Sequence, residues 1–328
     1  MSATALATAA PPDPPIAAPP PRRCDSSASW RLSDRLGLAV AWALGLFFCA
    51  ITAAIVIYLL LEGLKYVSPH LLVTHPTAGF SESQTGGFLD PMIGTAIVAL
   101  IAMAIALPVG ISTAVWLSEF GRPTALARIV ESTVEMLAGT PSIVLALFGA
   151  IVFESPVLGF LSQTTNHIVL GRSFFAAGAM LSLVGLPLVV SSVREGLQAI
   201  PSHVREASYA VGKSKTATTR RVLLPAARPS VITGAMLALG RVIGDTAIIL
   251  VLLGSTLNLA GAGGAPLLST LRGQGSTMTS YIYDNAPTGE GNQPEKAYAA
   301  AFVLLVIVLV LNVVVDFTGR RARRLQWS

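Results

Sequence analysis

Six long runs of apolar residues alternate with polar segments along the chain. Each run is long enough to cross roughly 30 Å of hydrocarbon as a helix that rises about 1.5 Å per residue. The pattern therefore predicts an all-α, polytopic membrane protein with six transmembrane helices. The predicted spans lie near 38–61, 93–117, 129–153, 174–193, 231–253 and 297–317.

The positions of Lys and Arg predict how these spans are oriented. Outside the spans, 17 of these residues lie in the two termini and in the segments after the second and fourth runs, and only 4 lie in the remaining segments. Basic residues favour the cytoplasmic side of a membrane. We therefore predict a multi-pass plasma-membrane protein with both termini, and the segment after the fourth run, in the cytoplasm.

The segments outside the spans differ in composition. Residues 1–30 begin with an Ala- and Pro-rich stretch that has too little apolar bulk to fold, which predicts a disordered cytoplasmic tail. Residues 31–88 hold the first span and an outer loop, residues 89–318 hold the other five spans, and residues 319–328 form a basic cytoplasmic tail. Two outer loops are rich in Gly, Ser, Thr and Pro and are predicted to be mobile or only locally ordered, at 62–92 and 254–296.

Overall composition supports the membrane interpretation and excludes several functions. The 328 residues are 53% hydrophobic and 12% charged, about half the charged fraction of a soluble domain. The net charge of +5 comes from residues near helix ends, so membrane lipid rather than nucleic acid is the predicted partner. Cys24 and Cys49 form no disulfide framework, and the four histidines are scattered, so no metal or cofactor is predicted.

The segment after the fourth run, residues 201–225, has a pattern of its own. Small and apolar residues recur there at helical spacing, which predicts a short helix beginning at Pro201. Gly212 can close this helix in a left-handed conformation, and the polar residues after it predict a second helix that ends at Pro225 and Pro229. Such a surface suits a groove in another protein or the lipid headgroups. The residues at helical spacing are Val204, Ala207, Ser208 and Val211.

The same segment carries a recognisable motif. Glu206-Ala207-Ser208 is followed after three residues by Gly212 and after nine more by the run VLLP, which ends at Pro225. This spacing resembles the EAA loop of bacterial ABC-importer permeases, with Ser208 in place of the third alanine. The resemblance implies a coupling helix that docks in a cleft of an ATPase subunit. The residues that it assigns to coupling are Glu206, Ala207, Ser208, Gly212, Leu224 and Pro225.

A different interpretation of this segment is a nucleotide-binding loop. The run from Ala207 to Ser214 fits a loosened phosphate-loop pattern, and Val313 to Asp316 resembles a Walker B strand. A phosphate-cradling loop requires a strand before it and a helix after it, whereas a helix is predicted before this run. We therefore predict that the chain does not bind nucleotide itself, although a nucleotide-binding membrane enzyme stays an alternative.

Several charged residues fall within the predicted spans. Arg241 and Asp245 lie in the fifth span, where a charge costs roughly 2.5–3.5 kcal/mol on insertion scales. Their spacing lets them form an ion pair, and an arginine fork in a water-accessible path suits a tetrahedral oxyanion. A buried structural ion pair is the alternative. Glu131 and Glu135 lie near the start of the third span, where they can snorkel or pair with Arg122 or Arg128.

Two further runs extend the family resemblance. Leu137 to Val144 reads LAGTPSIV and resembles the LAGxPSIV run of phosphate-importer permeases, and Arg241 to Ala247 reads RVIGDTA and resembles their R-x-x-G-E-T-A run. Over residues 38–325 the chain resembles the PstA-type permeases of phosphate ABC importers. Asp245 replaces the usual Glu, and Ile248 replaces the usual Pro, which predicts that the kink expected there is absent.

The resemblance implies a function and a set of partners. It implies a type I ABC-importer permease that translocates phosphate along a path lined by Arg241, Asp245, Thr140 and Ser142. Its implied partners are a PstC-like permease, two copies of an ABC ATPase and an extracytoplasmic phosphate-binding protein. The ATPase hydrolyses ATP, so this chain is not expected to be an enzyme. The alternatives are a PstC-like subunit and a permease for another oxyanion or small solute.

Overall fold

A computed structural model describes residues 32–74, 87–121, 124–155, 157–161, 164–165, 168–169, 171–254, 271–287, 289 and 293–324. The predicted N-terminal tail at 1–30 and much of the two outer loops lie outside these residues. Their predicted mobility stays a prediction.

Helices make up nearly all of the described chain. An antiparallel pair of two-residue strands, β1 (Thr164–Thr165) and β2 (Ile168–Val169), is the exception. Two π-helical turns and one 3-10 turn (Gly159–Leu161) interrupt or follow the α-helices. The α-helices are α1 Leu32–Tyr66, α2 Pro69–Val73, α3 Leu89–Val115, α4 Ala125–Gly139, α5 Ser142–Glu154, α6 Phe174–Gln198, α7 Ser202–Ala210, α8 Lys215–Thr218, α9 Leu224–Ala226, α10 Arg228–Ile243, α11 Ala247–Leu252, α12 Met278–Asn285 and α13 Pro294–Arg324.

Among the described residues, four helical stretches are long and apolar enough to cross a membrane, and two bent helix pairs raise the number to six if each pair is one span. The four stretches correspond to the first, second, fourth and sixth predicted spans. Their bounds extend past the predicted ones at most ends, because polar residues continue the helices beyond the apolar runs. They are Asp34–Tyr66, Leu89–Phe120, Phe174–Gln198 and Pro294–Phe317.

The third predicted span is not one straight helix. Helices α4 and α5 meet at an angle of 107°. Thr140 and Pro141 between them have extended backbone, with ψ angles of 129° and 134°. A residue before proline is sterically pushed out of the helical region, which explains why the helix stops there. The length of the run 129–153 predicts one span, but Pro141 near its centre ends the first helix.

The fifth predicted span is also interrupted. Helix α10 ends at Ile243, and α11 begins at Ala247. The helix is interrupted just before Ile248 even without a proline at that position, and the absence of a kink stays a prediction. Asp245 Oδ1 accepts a hydrogen bond from the backbone N–H of Ile248 at 3.1 Å, in the first turn of α11. A short acidic side chain that caps a helix start in this way favours a break in the preceding helix.

The contact between α3 and α6 forms the centre of the fold. A glycine from each helix allows the close approach: a Cβ at Gly110 would lie 2.7 Å from Val189 Cγ1, and a Cβ at Gly178 would lie 2.6 Å from Ile101 Cγ2. In lipid, small residues at such crossings let two helices gain dispersion contacts along their length. Helix α6 also packs along α10. The chain divides into two units, residues 1–56 and 57–328, and all of these contacts lie within the second unit.

Part of the segment 254–296, which is predicted to be an outer loop, is helical. Helix α12 begins at a capping box in which Thr277 and Ser280 bond each other's backbone N–H groups. The backbone N–H of Met278 donates to Thr95 Oγ1 of α3 at 2.9 Å. Tyr281 is buried against Phe88, and burial raises the pKa of its phenol to about 12. The prediction of local order in this loop is therefore confirmed for the residues around α12.

We expect Gly178→Val to destabilise the protein, because the added carbons must displace Ile101 or separate α3 from α6. Overpacking of this kind costs roughly 1–3 kcal/mol. The measurement is the thermal midpoint and the monodisperse yield of the detergent-purified protein. Gly45→Ala is the matched control, because nothing lies within 4 Å of its Cβ position. An equal midpoint for both variants would contradict the packing argument.

Candidate functional site

The first half of the 201–225 segment folds as predicted. Helix α7 begins directly after Pro201 and ends at Ala210. Gly212 then adopts a φ of +78°, the left-handed conformation that closes a helix and that only glycine takes without strain. No atom lies within 4 Å of its Cβ position, so backbone torsion rather than space requires a glycine here.

The second half of the segment departs from the prediction. Helix α8 is followed by a π-helical turn (Thr219–Leu223) and by α9, so the helical path continues past Pro225. The π turn precedes Pro225, whose ring would clash with the carbonyl of Arg221 in a regular α-turn. Pro225 and Pro229 lie in the first turns of α9 and α10, where a proline is tolerated. The chain bends by 66° where these two helices meet.

A pair of buried hydroxyl groups joins the two halves of the segment. Ser208 Oγ lies 2.9 Å from Thr218 Oγ1, and both residues are buried. An alanine at position 208, as in the EAA pattern, would leave the Thr218 hydroxyl without this partner. The replacement of alanine by serine therefore adds a bond between α7 and α8.

The other motif residues assigned to coupling are exposed or half-buried. Glu206, Ala207 and Gly212 are exposed, and Leu224 and Pro225 are half-buried. The fully buried side chain of the VLLP run is Leu223, which packs in one apolar cluster with Leu117 from the turn after α3. The exposed apolar side chains on this surface are Tyr209 and Val211. The exposed cations beside them are Lys213, Lys215, Arg220 and Arg221.

Arg205 is the most extensively bonded side chain of the segment, although no sequence pattern singles it out. Its Nε and Nη2 donate to Glu119 Oε1 at 3.3 and 3.0 Å, and Nη1 and Nη2 donate to the carbonyls of Ile200 and Leu197, each at 2.7 Å. Glu119 lies in the π-helical turn (Trp116–Phe120) that ends α3. A local motif cannot signal this pair, because its members are 86 residues apart.

The backbone around Gly212 and Ser214 excludes a phosphate loop. Helix α7 precedes the run, and the four-residue helix α8 follows it, so the strand that such a loop requires is missing in the fully described stretch 171–254. The supposed Walker B run from Val313 to Asp316 lies inside α13. In the described part of the chain, no three His, Cys, Asp or Glu side chains are grouped as metal ligands.

The two charges of the fifth span form the predicted ion pair. Arg241 Nη1 donates to Asp245 Oδ2 at 3.2 Å. The Asp245 side chain is 2% exposed and the Arg241 side chain is 48% exposed. Both carboxylate oxygens of Asp245 are occupied, since Oδ1 accepts from Ile248. The other N–H groups of Arg241 have no acceptor among the described residues, so the guanidinium has donors left for a ligand.

The predicted site residues of the third span lie at its break. Thr140 Oγ1 donates to the carbonyl of Met136 at 2.8 Å, and Ser142 is the first residue of α5. No hydrogen bond or ion pair joins either residue to Arg241 or Asp245 in the part of the chain that the structure describes. The connection between the two groups is the packing of α5 against α11, through residues such as Ala146.

Of the two carboxylates of α4, Glu131 has a partner other than those predicted. Glu131 pairs with Arg194 of α6 at 2.5 Å rather than with Arg128. Glu135 is exposed. The reason is tertiary: α4 packs along the end of α6, which brings a cation from another helix closer than the cations on its own helix.

Comparison with known proteins identifies the family of this chain. Residues 106–324 match the family of binding-protein-dependent transport system inner membrane components. The chain belongs to this family. Membership makes it a multi-pass membrane subunit of a transport system and confirms the ABC-importer permease fold that the sequence predicted.

Individual relatives support the assignment to the binding-protein-dependent permeases. The phosphate transport system permease protein PstA 1 of Mycobacterium tuberculosis is 34% identical over 258 residues, which cover 77% of each protein. The permease protein PstC of Xylella fastidiosa is 31% identical over 239 residues, which cover 69% of each. A chain of a bacterial alginate ABC transporter, solved with an alginate-bound periplasmic protein, has the same fold: the TM-score is 0.61 at 16% identity, over 88% of this chain and 95% of that one.

The paired hydroxyls lead to a prediction of non-additive mutations. Ser208→Ala and Thr218→Val should each destabilise the contact between α7 and α8, because each leaves one buried hydroxyl unsatisfied at a cost of about 1–3 kcal/mol. The double variant should lose less than the sum of the two. The measurement is amide hydrogen exchange of residues 204–219, with the exposed Ser202→Ala as control. Additive effects would contradict a direct bond.

Proposed function

We propose that this chain is the permease subunit of an ATP-driven importer that translocates inorganic phosphate. The observation that carries the proposal is Arg241, a half-exposed guanidinium on a membrane helix that one carboxylate holds through a single hydrogen bond of 3.2 Å. A charge at this depth is costly and persists where it has a function or a partner. Here the partner, Asp245, accepts a hydrogen bond from only one nitrogen of the guanidinium.

The chemistry of the guanidinium favours a tetrahedral oxyanion. Its planar set of N–H donors matches two oxygens of such an anion at once, and it stays charged at every physiological pH. Asp245 orients the fork and offsets its charge, so a bound anion is not held too tightly to leave. The relatives named as phosphate transport system permeases support phosphate as the anion. Thr140 and Ser142, at the break between α4 and α5, are the further candidates for lining the path.

The exposed surface of the 201–225 segment suits an ATPase partner. Tyr209 and Val211 offer an apolar contact that a hydrophobic groove can cover, and the cations around them suit an acidic rim. Glu206 is exposed beside this surface. In this proposal the partner ATPase hydrolyses ATP, and this chain transmits the resulting movement without covalent chemistry.

The proposed orientation follows from charge. The 17 basic residues in the termini and in the segments after the second and fourth apolar runs favour a cytoplasmic location for these parts, where ATP is available. The location is the plasma membrane of a bacterium. The opposite face, with the ordered helix α12, is where an extracytoplasmic phosphate-binding protein would dock.

The assembly would be a heterodimer of this chain with a PstC-like permease, bound to two ATPase subunits. Alternating access then requires the membrane helices of the two permeases to rock around the shared path. A PstC-like role for this chain is the second candidate, and the identity with a PstC protein supports it. Co-purification with a PstC-like permease, rather than with a PstA-like one, distinguishes the two roles.

Removing the guanidinium should impair phosphate import. We expect Arg241→Gln to lower uptake at limiting phosphate by roughly tenfold or more, because a charge-assisted hydrogen bond contributes about 1.5–3 kcal/mol. Arg241→Lys should also be impaired, since an ammonium cannot reproduce the fork. The measurement is labelled phosphate uptake in cells that lack other phosphate importers. Lys65→Gln is the control, because it removes an exposed positive charge whose ion-pair partner, Glu62, lies on its own helix.

Phosphate uptake at the normal rate by Arg241→Gln would contradict the role of Arg241 in anion passage, whereas the absence of phosphate uptake by the wild type would contradict the phosphate function. Uptake of sulfate and molybdate is measured in the same cells, and it identifies the substrate if phosphate is not transported.

A cysteine on α7 should cross-link to the ATPase. We expect Tyr209→Cys to form a disulfide or a short bifunctional cross-link with a cysteine in the ATPase cleft, because Tyr209 is exposed on the proposed docking surface. Ser191→Cys, an exposed position inside the membrane helix α6, should not react. Labelling of the Tyr209→Cys variant by an impermeant thiol reagent from outside the cell would refute both the orientation and the coupling role.

A further inference from the structure

We propose that Glu119 and Arg205 are positioning residues that transmit movement of the 201–225 segment to α3. The inference rests on the proposed function, since it assumes that an ATPase moves this segment. It adds a specific contact point and a direction of transmission.

Arg205 connects three structural elements through one planar group. It belongs to α7, it donates twice to Glu119 at the end of α3, and it donates to the carbonyls of Leu197 and Ile200 at the end of α6. Glu119 is almost fully buried, with 6% of its side chain exposed. A guanidinium bonded at this many points has little freedom to swing, so a displacement of α7 must displace its partners or break the bonds.

The residue after Glu119 holds the other helix of the segment. Lys215 of α8 places its Nζ 5.1 Å from the ring centroid of Phe120. The two adjacent residues at the end of α3 therefore contact α7 and α8 separately. Since the Ser208 and Thr218 hydroxyls join α7 to α8, the segment acts on α3 as one body.

The helix that receives this contact is placed to pass the movement on. Helix α3 packs closely along α6 through the glycine contacts at Gly110 and Gly178, and α6 packs along α10, which carries Arg241. Packed helices in a dense core shift as units rather than deform locally. The ion pair between Glu119 and Arg205 is thus the first contact in a continuous series that leads from the ATPase side to the guanidinium of Arg241.

A chain of contacts alone does not demonstrate coupling, so the decisive quantity is the amount of phosphate imported per ATP hydrolysed. We would measure it with the full importer in proteoliposomes, comparing wild type with Glu119→Gln and Arg205→Gln. We expect both variants to assemble and to hydrolyse ATP, while the ratio falls at least ~fivefold. The double variant should lose no more than either single one, because both remove the same contact.

The matched control is Glu131→Gln. It breaks another interhelical ion pair, with Arg194 of α6, that does not involve the 201–225 segment. In this variant the amount of phosphate imported per ATP hydrolysed should stay within about twofold of wild type. A loss of similar size in this control would show that general weakening of the helix contacts explains the result, and would overturn the proposal.

Glu119→Asp covers the case in which the glutamine variants do not assemble. It keeps the buried negative charge but shortens its reach by one methylene, so it should fold and still lower the ratio. A wild-type ratio in whichever variant assembles overturns the transmission role. Failure of the proposed function looks different: the wild-type assembly would not import phosphate, or the Tyr209→Cys cross-link to the ATPase would not form.

Discussion

The guanidinium of Arg205 gives the polar segment a defined position relative to the membrane helices. Without it, the segment would contact the ends of α3 and α6 mainly through apolar groups such as Leu223, which resist separation but not rotation. Hydrogen bonds to one carboxylate and two backbone carbonyls are directional, so they define an orientation. The two carbonyls belong to the last turn of α6 and the residues after it, where backbone acceptors lack intrahelical partners. Arg205 donates to both carbonyls and to one oxygen of the Glu119 carboxylate.

The ion pair between Arg241 and Asp245 is arranged in the opposite way. Arg205 is half-buried and bonded at four points, whereas Arg241 is more exposed and bonded at one. The acid partners are both buried, yet Asp245 divides its oxygens between Arg241 and the start of α11. Arg205 thus uses four of its five N–H donors within the protein, whereas Arg241 uses one among the described residues. The two arginines therefore differ in how many hydrogen bonds the protein gives them, although they carry the same charge.

Apolar run length predicted the class of the protein and most of its helices, because in hydrocarbon every backbone group must be bonded within its own helix. The left-handed conformation of Gly212 was also predicted correctly, because it depends on the torsional preference of a single residue at a helix end. The size of the 107° angle at Thr140 and Pro141 was beyond such rules, because a proline indicates where a helix stops but not the direction that the next helix takes. The pairing of Glu119 with Arg205 could not be predicted from the sequence either, because each residue taken alone resembles an ordinary charge at a helix end. Burial of Ser208 follows from where α8 packs, which no periodicity in α7 encodes.

The two described π turns lie where the polar segment meets the membrane helices. One is at the end of α3, and the other is between α8 and α9. A π turn accommodates one residue more than an α turn, so releasing that residue rotates the following helix by about 100° and advances it by about 1.5 Å. Such a register change preserves a continuous hydrogen-bonded backbone. A wider turn of this kind suits a lipid environment, which penalises every unbonded amide.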